Sequence, residues 1–574
     1  MRTRGLLKIA LRAAVAPACL AGALIAPTVS QALDVPVAGT NGMISAGHPL
    51  AVQSGLKVLR DGGTACDAAV ATAATLSVMM TDMMGPLGSG YAVIYDARGK
   101  KVSAVDYNGV APAATDPKKF TMEDKRRGIL SATVPGNLRG WEEIHKRCGV
   151  LPWANLWSDA IAYAENGRAI DNDTAFHIRR HVSELAIYDT WNKEFLIDGK
   201  EPPPAGHILK RPDLAESYKL IAKMGSAAVY DGPIGDKIAS YMEKNNGLIT
   251  KQDLKNYSVK WLEPITSTYR GHAIYGAPPS SSAITWMEIL KIVEGYDLAG
   301  LKRNSPEYLR VFIEATKYAY EDGYRYNGDP GMVSVPVEKL LSDQYAAEIR
   351  KSIDAVRVRD FKPMKTGLVH PPYENHATSH MAVIDKDGNA VSSTNTHGTF
   401  WGGGFVVEGT GLIMSNGMDW FDINENIWTG EKPGLLAMAP GKRNRWTLSP
   451  GMIFKDNRLF MLIGGAGAEA TMWGIAQPIV NVIDFGMNAQ AALSEPRFRY
   501  GDLYHYTGGN QIALERGIAP EVEATLKSWG YTIDDPTKPR SASRGTTNMI
   551  VIDAKSGAYW GGAAPAGRDF VSGY

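Results

Sequence analysis

Cysteine is scarce in this chain, with three residues in 574. Cys19 lies in an N-terminal stretch treated below, so only Cys66 and Cys148 are left to pair. A disulfide framework is thereby excluded, while one bridge is open without being required. An excess of charge of either sign is missing too: Lys+Arg number 61 against Asp+Glu 60, a formal net charge of +1. That balance supplies no basic face for nucleic acid and no polybasic anchor for anionic membrane. Beyond the N-terminus no apolar run is long and unbroken enough to span a bilayer. Residues 33–574 also lack internal repeats and low-complexity tracts, which argues against a solenoid or a disordered scaffold.

What is present begins with a leader. Arg2, Arg4, Lys8 and Arg12 precede an Ala-rich apolar stretch, Ala13 to Pro27, which ends in Ser30-Gln31-Ala32. This is the plan of a secretory signal over residues 1–32, and it points to a periplasmic or secreted protein. Ala16-Pro17-Ala18 fits poorly as the approach to a lipid-attachment cysteine at Cys19. The remaining chain is long enough for a large core.

Its texture changes along its length. Leu50, Val52, Leu56 and Leu59 predict a helix over Pro49–Arg60, stopped by Asp61-Gly62-Gly63. Cys66–Met80 is apolar nearly all round and predicts a buried helix. Tyr91–Tyr95 and Val102–Tyr107 look like strands, whereas Trp141–Ile353 is mostly amphipathic helix interrupted by the loop Gly276–Ser282. From about Thr378 the pattern becomes strand-rich. Met381–Asp385 and Ala390–Thr394 flank Lys386-Asp387-Gly388-Asn389, a hairpin signal. Arg458–Ile463 is followed by Gly464-Gly465-Ala466-Gly467, and Met549–Asp553 and Ala558–Trp560 form a last hairpin. The mixture predicts a layered α+β fold.

The chemistry concentrates at Glu374-Asn-His-Ala377-Thr378-Ser379-His380, which leads into that first hairpin. A Thr hydroxyl is a weak nucleophile and needs a base within reach. Cleavage of the Ala377–Thr378 bond would give Thr378 its own α-amine, whose ordinary pKa of roughly 8 leaves a neutral fraction near pH 7. Taken alone, a Thr that opens a buried strand is usually structural.

The segment resembles the small-subunit start of the gamma-glutamyltransferases, where a Thr-Thr-His-like triplet runs into an Asp-Lys-Asp-Gly-Asn hairpin. The likeness extends in order through Gly42–Ala51, Gly62–Val70, Val134-Pro135-Gly136, Pro278–Ser281, Gly328-Asp329-Pro330, Gly409-Thr410-Gly411 and Glu495–Phe498. It implies a four-layer αββα N-terminal-nucleophile sandwich and self-cleavage into a large subunit, 33–377, and a small catalytic subunit, 378–574. It further implies Thr378 as nucleophile, Thr396 as its hydrogen-bond partner, and the N–H groups of Gly467 and Ala468 as an oxyanion hole. No cofactor and no metal is called for; the spacing of His370, His376, His380 and His397 matches no helix-borne zinc motif.

Where the family grips a glutamyl head group, this chain departs from it. Asn108 stands at the position of the Arg that binds the α-carboxylate. Gly398, Gly417 and Trp420 stand where the family places the groups that bind the α-amine, and Trp446-Thr447 replaces a Ser-Ser pair. Asp419, offset by one, is the residue that could partly replace the lost carboxylate, and His380 is expected near the nucleophile. These positions are the candidate substrate-binding residues. Together they predict a small-molecule amide whose acyl group lacks the amino-acid head, with glutathione hydrolysis and an inactive binding homologue as the alternatives. Asp422–Arg445, polar and punctuated by Pro and Gly, reads as a lid or a plain surface loop.

Overall fold

The computed structural model describes residues 35–355, 357–359, 376–425, 430–501, 509–534, 545–565 and 567–574. The leader at 1–32, Glu374, His370 and part of the 422–445 segment lie outside them. The expected strand Met381–Asp385 forms part of a longer strand, His376–Asp385, paired antiparallel with Ala390–Thr399. This hairpin is the centre of a seven-stranded sheet in the order Phe570–Gly573, Gly42–Ala46, His376–Asp385, Ala390–Thr399, Ser89–Asp96, Lys101–Tyr107, Lys260–Leu262. The second sheet also has seven strands: Val37–Gly39, Tyr559–Ala563, Thr546–Ile552, Arg458–Ala466, Gly451–Lys455, His272–Gly276 and Ile265–Tyr269.

Strand alternation explains the layering. Met381 and Val383 point to a core shared with helices Pro49–Arg60 and Ala65–Met79, while Ala382 and Ile384 point into an inter-sheet core with Met452, Leu462 and Ile550. The second sheet sends Ile453, Met461, Ile463 and Met549 to the opposite side, against helices Ala283–Val293, Pro306–Tyr326 and Ala470–Ile483. Helices, sheet, sheet, helices is the expected αββα order.

The middle of the chain corrects the sequence reading. Lys260–Gly276, inside the segment expected to be mostly helical, supplies three strands that complete the edges of both sheets. A short, half-exposed hairpin carries little periodic signal among long amphipathic helices. The cysteines settle a question left open: Cys66 at the start of one buried helix is bonded to Cys148 at the end of Asn137–Cys148, with Cα atoms 5.7 Å apart. The Lys386–Asn389 turn is tied to the same helix start, because Asp385 accepts from the Asp387 and Asn389 amides and from Ala65 N at 3.0 Å.

Candidate active site

Thr378 opens the inter-sheet face of its strand. Its register partner is Thr396, but one residue earlier Ala377 pairs with Gly398, so His397 is an extra residue on the opposing strand. A bulge of this kind re-aims side chains next to it. The His397 amide turns away to the Met83 carbonyl, which leaves the Thr396 hydroxyl at a junction of three groups. It accepts from the Thr378 hydroxyl at 3.1 Å and from the Gly398 amide at 2.8 Å, and it donates closely to the carbonyl of Ala377. One proton and two lone pairs are fully used. The same hydroxyl thus contacts both the side chain of Thr378 and the peptide that precedes it.

His380, two residues on, shares this face. Its Nδ1 pairs with the Thr394 hydroxyl at 2.8 Å, and burial pushes the imidazole down to about 3, so the ring is neutral at ordinary pH. Gly464 of the second sheet lies directly on that ring; a Cβ there would come within 2.1 Å of it. The Ile463 carbonyl accepts from Ser392, the partner of Ala382. Strand Arg458–Ala466 therefore advances toward the Thr378 end and finishes in Gly467 (φ 124°) and Ala468 (φ 51°), followed by the helix Ala470–Ile483. Two successive left-handed residues re-aim the backbone at a helix N-terminus, a geometry suited to anion-facing N–H groups.

The candidate head-group positions form a closed wall. The tip of the Trp446 indole lies against Gly398, whose φ of 104° and whose neighbours, Asn416 Oδ1 and Trp446, leave no room for a side chain. Gly417 is blocked in the same way by Thr133. Asn416, which the sequence reading missed, holds this corner by accepting from Thr399 N and donating to the Arg126 carbonyl, each at 2.9 Å. A lone Asn beside Gly gives no periodic signal that could have marked it. Trp420 packs on Trp446 with ring centroids 4.9 Å apart. Thr447 is buried beside them.

Two of the candidate positions have protein partners. Asn108 is fully buried: its Oδ1 accepts from the Trp446 indole N–H, and its amide N–H₂ donates to the Asn444 carbonyl at 2.8 Å and to the Tyr91 hydroxyl. Asp419, the candidate replacement carboxylate, lies beside a cation. It faces the buried ammonium of Lys125 at 4.0 Å, and Lys125 also donates to the Asp419 and Phe421 carbonyls at 2.7 Å.

Among the described residues no group of three His, Cys, Asp or Glu is close enough to hold a metal ion. No described helix is long and apolar enough to cross a membrane.

The model of the gamma-glutamyltranspeptidase family matches residues 51–574. This chain belongs to that family. It is 30% identical to the glutathione hydrolase proenzyme of Escherichia coli strain K12, with 99% of each chain covered. It is 35% identical to the acylase ACY 1 proenzyme of Pseudomonas sp. strain V22, covering 87% of this chain and 88% of that one. The crystal structure of cephalosporin acylase from Bacillus halodurans superposes with a TM-score of 0.83 at 30% identity, over 94% of this chain and 97% of the other. The αββα sandwich is therefore the N-terminal-nucleophile hydrolase fold, and the chain is an enzyme of that class.

Proposed function

We propose that this family member is exported, cuts itself between Ala377 and Thr378, and then hydrolyses an amide whose acyl group lacks an α-amino-acid head. The Thr396 contacts support the first chemical step. With its proton on the Ala377 carbonyl, Thr396 polarises the carbon that the Thr378 hydroxyl would attack, and it also orients that hydroxyl. Cleavage would yield residues 33–377 and 378–574 and free the Thr378 amine as the base for later turnovers. The Gly467 and Ala468 N–H groups would face the oxyanion; one such donor contributes about 3 kcal/mol. The Thr378–Thr396 contact also speaks against an inactive binding homologue.

The observation that carries the substrate reading is the filled wall. Side chains at 398 and 417 have no space, and Asn108 is spent on Trp446. A glutamyl ammonium and carboxylate placed here would lose hydration without gaining partners, a cost of several kcal/mol. Indole faces suit a flat or apolar acyl group instead. The acylase relatives accord with this reading, while the E. coli relative keeps glutathione hydrolysis as the second one. Comparing kcat/KM for gamma-glutamyl-p-nitroanilide with that for phenylacetyl, glutaryl and aliphatic acyl anilides tests it. A clear preference for the glutamyl compound overturns it. The Cys66–Cys148 bridge fits an oxidising compartment such as the periplasm.

A further inference from the structure

The segment that carries Trp446 and the turn that carries the Gly467 and Ala468 amides are joined by charge. Arg445, immediately before Trp446, directs its Nη2 to Glu469 Oε1 at 2.7 Å, and Glu469 immediately follows Ala468. Both side chains are buried, with 2% and 5% of their surfaces exposed. The Tyr324 hydroxyl donates to the same Glu469 oxygen, and the Arg445 guanidinium lies 3.9 Å over the Tyr324 ring. Helix Pro306–Tyr326 thus holds both partners from behind the second sheet.

Nothing in the amide chemistry proposed above uses this pair, yet its position is specific. Ala468 sits at φ 51°, a conformation that costs a non-Gly residue energy and persists only where surrounding contacts impose it. The residue that follows it is anchored by a charge-assisted hydrogen bond to the residue that precedes the pocket wall. Displacement of either segment would separate two buried opposite charges.

We infer that Arg445 and Glu469 are positioning residues: their ion pair sets the oxyanion turn against the Trp446 wall, so that the acyl group and the N–H donors share one fixed geometry. This rests on the reading of Thr378 and the Gly467–Ala468 turn given under Proposed function. A substrate accepted by the wall would be lined up for attack through the pair, without either charge touching it.

The test uses the processed full-length enzyme with the best anilide from the acyl panel. Glu469→Gln keeps the shape and a hydrogen-bond acceptor but removes the charge; Glu469→Asp keeps the charge on a stem one methylene shorter; Arg445→Lys keeps the charge without the planar fork. Tyr324→Phe removes one hydrogen bond and leaves the ion pair. We expect Glu469→Gln and Glu469→Asp to lower kcat at least tenfold with KM within twofold, Arg445→Lys to lie between them and the unmodified enzyme, and Tyr324→Phe to lose no more than threefold. A purely structural pair would lower Tm and the yield of cleaved protein while leaving kcat per folded active site unchanged, with sites counted by burst titration. That result, or unchanged kcat in folded variants, overturns the inference. If Glu469→Gln does not fold, Glu469→Asp and Arg445→Lys decide alone. A Thr378→Ala enzyme that still turned over would refute the underlying reading instead, independently of any result at 445 or 469.

Discussion

The Thr378 ladder and the Trp446 wall lie a few residues apart and are built by opposite means. On the ladder, Thr378 meets Thr396 and His380 meets Thr394 across one strand pair, and each hydrogen bond follows from register. On the wall, two indoles pack together, one of them against Gly398, which has no room for a side chain, and a buried amide locks that indole in place. The ladder depends on strand pairing, which the whole sheet enforces. The wall depends on side-chain fit, which can be rebuilt as a group while the sheet stays unchanged. On the proposed reading, this chain keeps the family's chemistry and changes its acyl group by rebuilding the wall alone.

The ladder breaks most completely at its end. Thr378→Ala should abolish both self-cleavage and turnover, with kcat down by roughly 10⁴-fold or more, because one hydroxyl serves both steps. Thr378→Ser should keep part of each. Denaturing gel electrophoresis and N-terminal sequencing read the first step, and an anilide assay reads the second. Normal processing in the Ala variant would show that another residue attacks the bond.

The wall should respond only to combined changes. Asn108→Arg alone puts a guanidinium where an indole N–H already points, and an unpaired buried charge should cost about 3–5 kcal/mol. The single variant should therefore melt lower and gain no activity on gamma-glutamyl-p-nitroanilide. Asn108→Arg with Trp446→Ser and Trp420→Asp opens the space and supplies both charges. Each regained charge-assisted contact contributes roughly 1.5–3 kcal/mol, so relative kcat/KM for the glutamyl compound should rise at least about tenfold. A gain from Asn108→Arg alone would mean that Trp446 does not lock the position.

Both regions rest on the first sheet and its helix Ala65–Met79, which the Cys66–Cys148 bridge clamps. The bridge spans 82 residues in sequence, and chain-entropy arguments give about 4.5 kcal/mol as its upper contribution. Cys66→Ala/Cys148→Ala, compared with the parent in the uncleaved Thr378→Ala background, should lose up to that amount in urea unfolding. An unchanged midpoint in the double variant would remove the bridge from the account of stability.

How much of this could be read from the residues alone differs between the two regions. The hairpin around Lys386–Asn389 was legible because turn chemistry and period-two alternation specify register locally, whereas the Thr378–Thr396 partnership was legible only through the family resemblance. The strands at Lys260–Gly276 were not, since short edge strands carry little pattern of their own. Among pocket residues, the sequence identified which positions had changed but not what the replacements touch. Asn108 looked like a weakened ligand contact and is instead a buried partner of Trp446. Asp419 looked like a spare carboxylate and faces Lys125. Those pairings join residues hundreds of positions apart, and local pattern does not encode them.

The smallest expected effect separates the ladder's electrostatics from its packing. His380 is buried and neutral in the folded protein, with its imidazole held down to about 3 by desolvation. An unfolded His has a pKa of about 6.5. At pH 7 neither state binds the proton, so the group contributes nothing through ionisation. Below 6.5 the unfolded chain takes up the proton and the folded one does not, so stability falls with pH until the folded value is reached. By pH 5 the loss is about 2 kcal/mol. His397, also pushed down to about 3 mainly by burial, adds a similar loss, as does any other group common to the proteins compared. His380→Gln removes only the term from residue 380, and its amide can still meet the Thr394 hydroxyl. In the Thr378→Ala background, which keeps the chain in one piece, the Gln variant should be less stable than its parent at pH 7 because the ring no longer packs under Gly464. That gap should narrow by about 2 kcal/mol at pH 5, measured by urea unfolding at both pH values. A gap independent of pH would mean that His380 takes up its proton at the same pH in the folded and unfolded protein, and so carries charge beside Thr378 at pH 5.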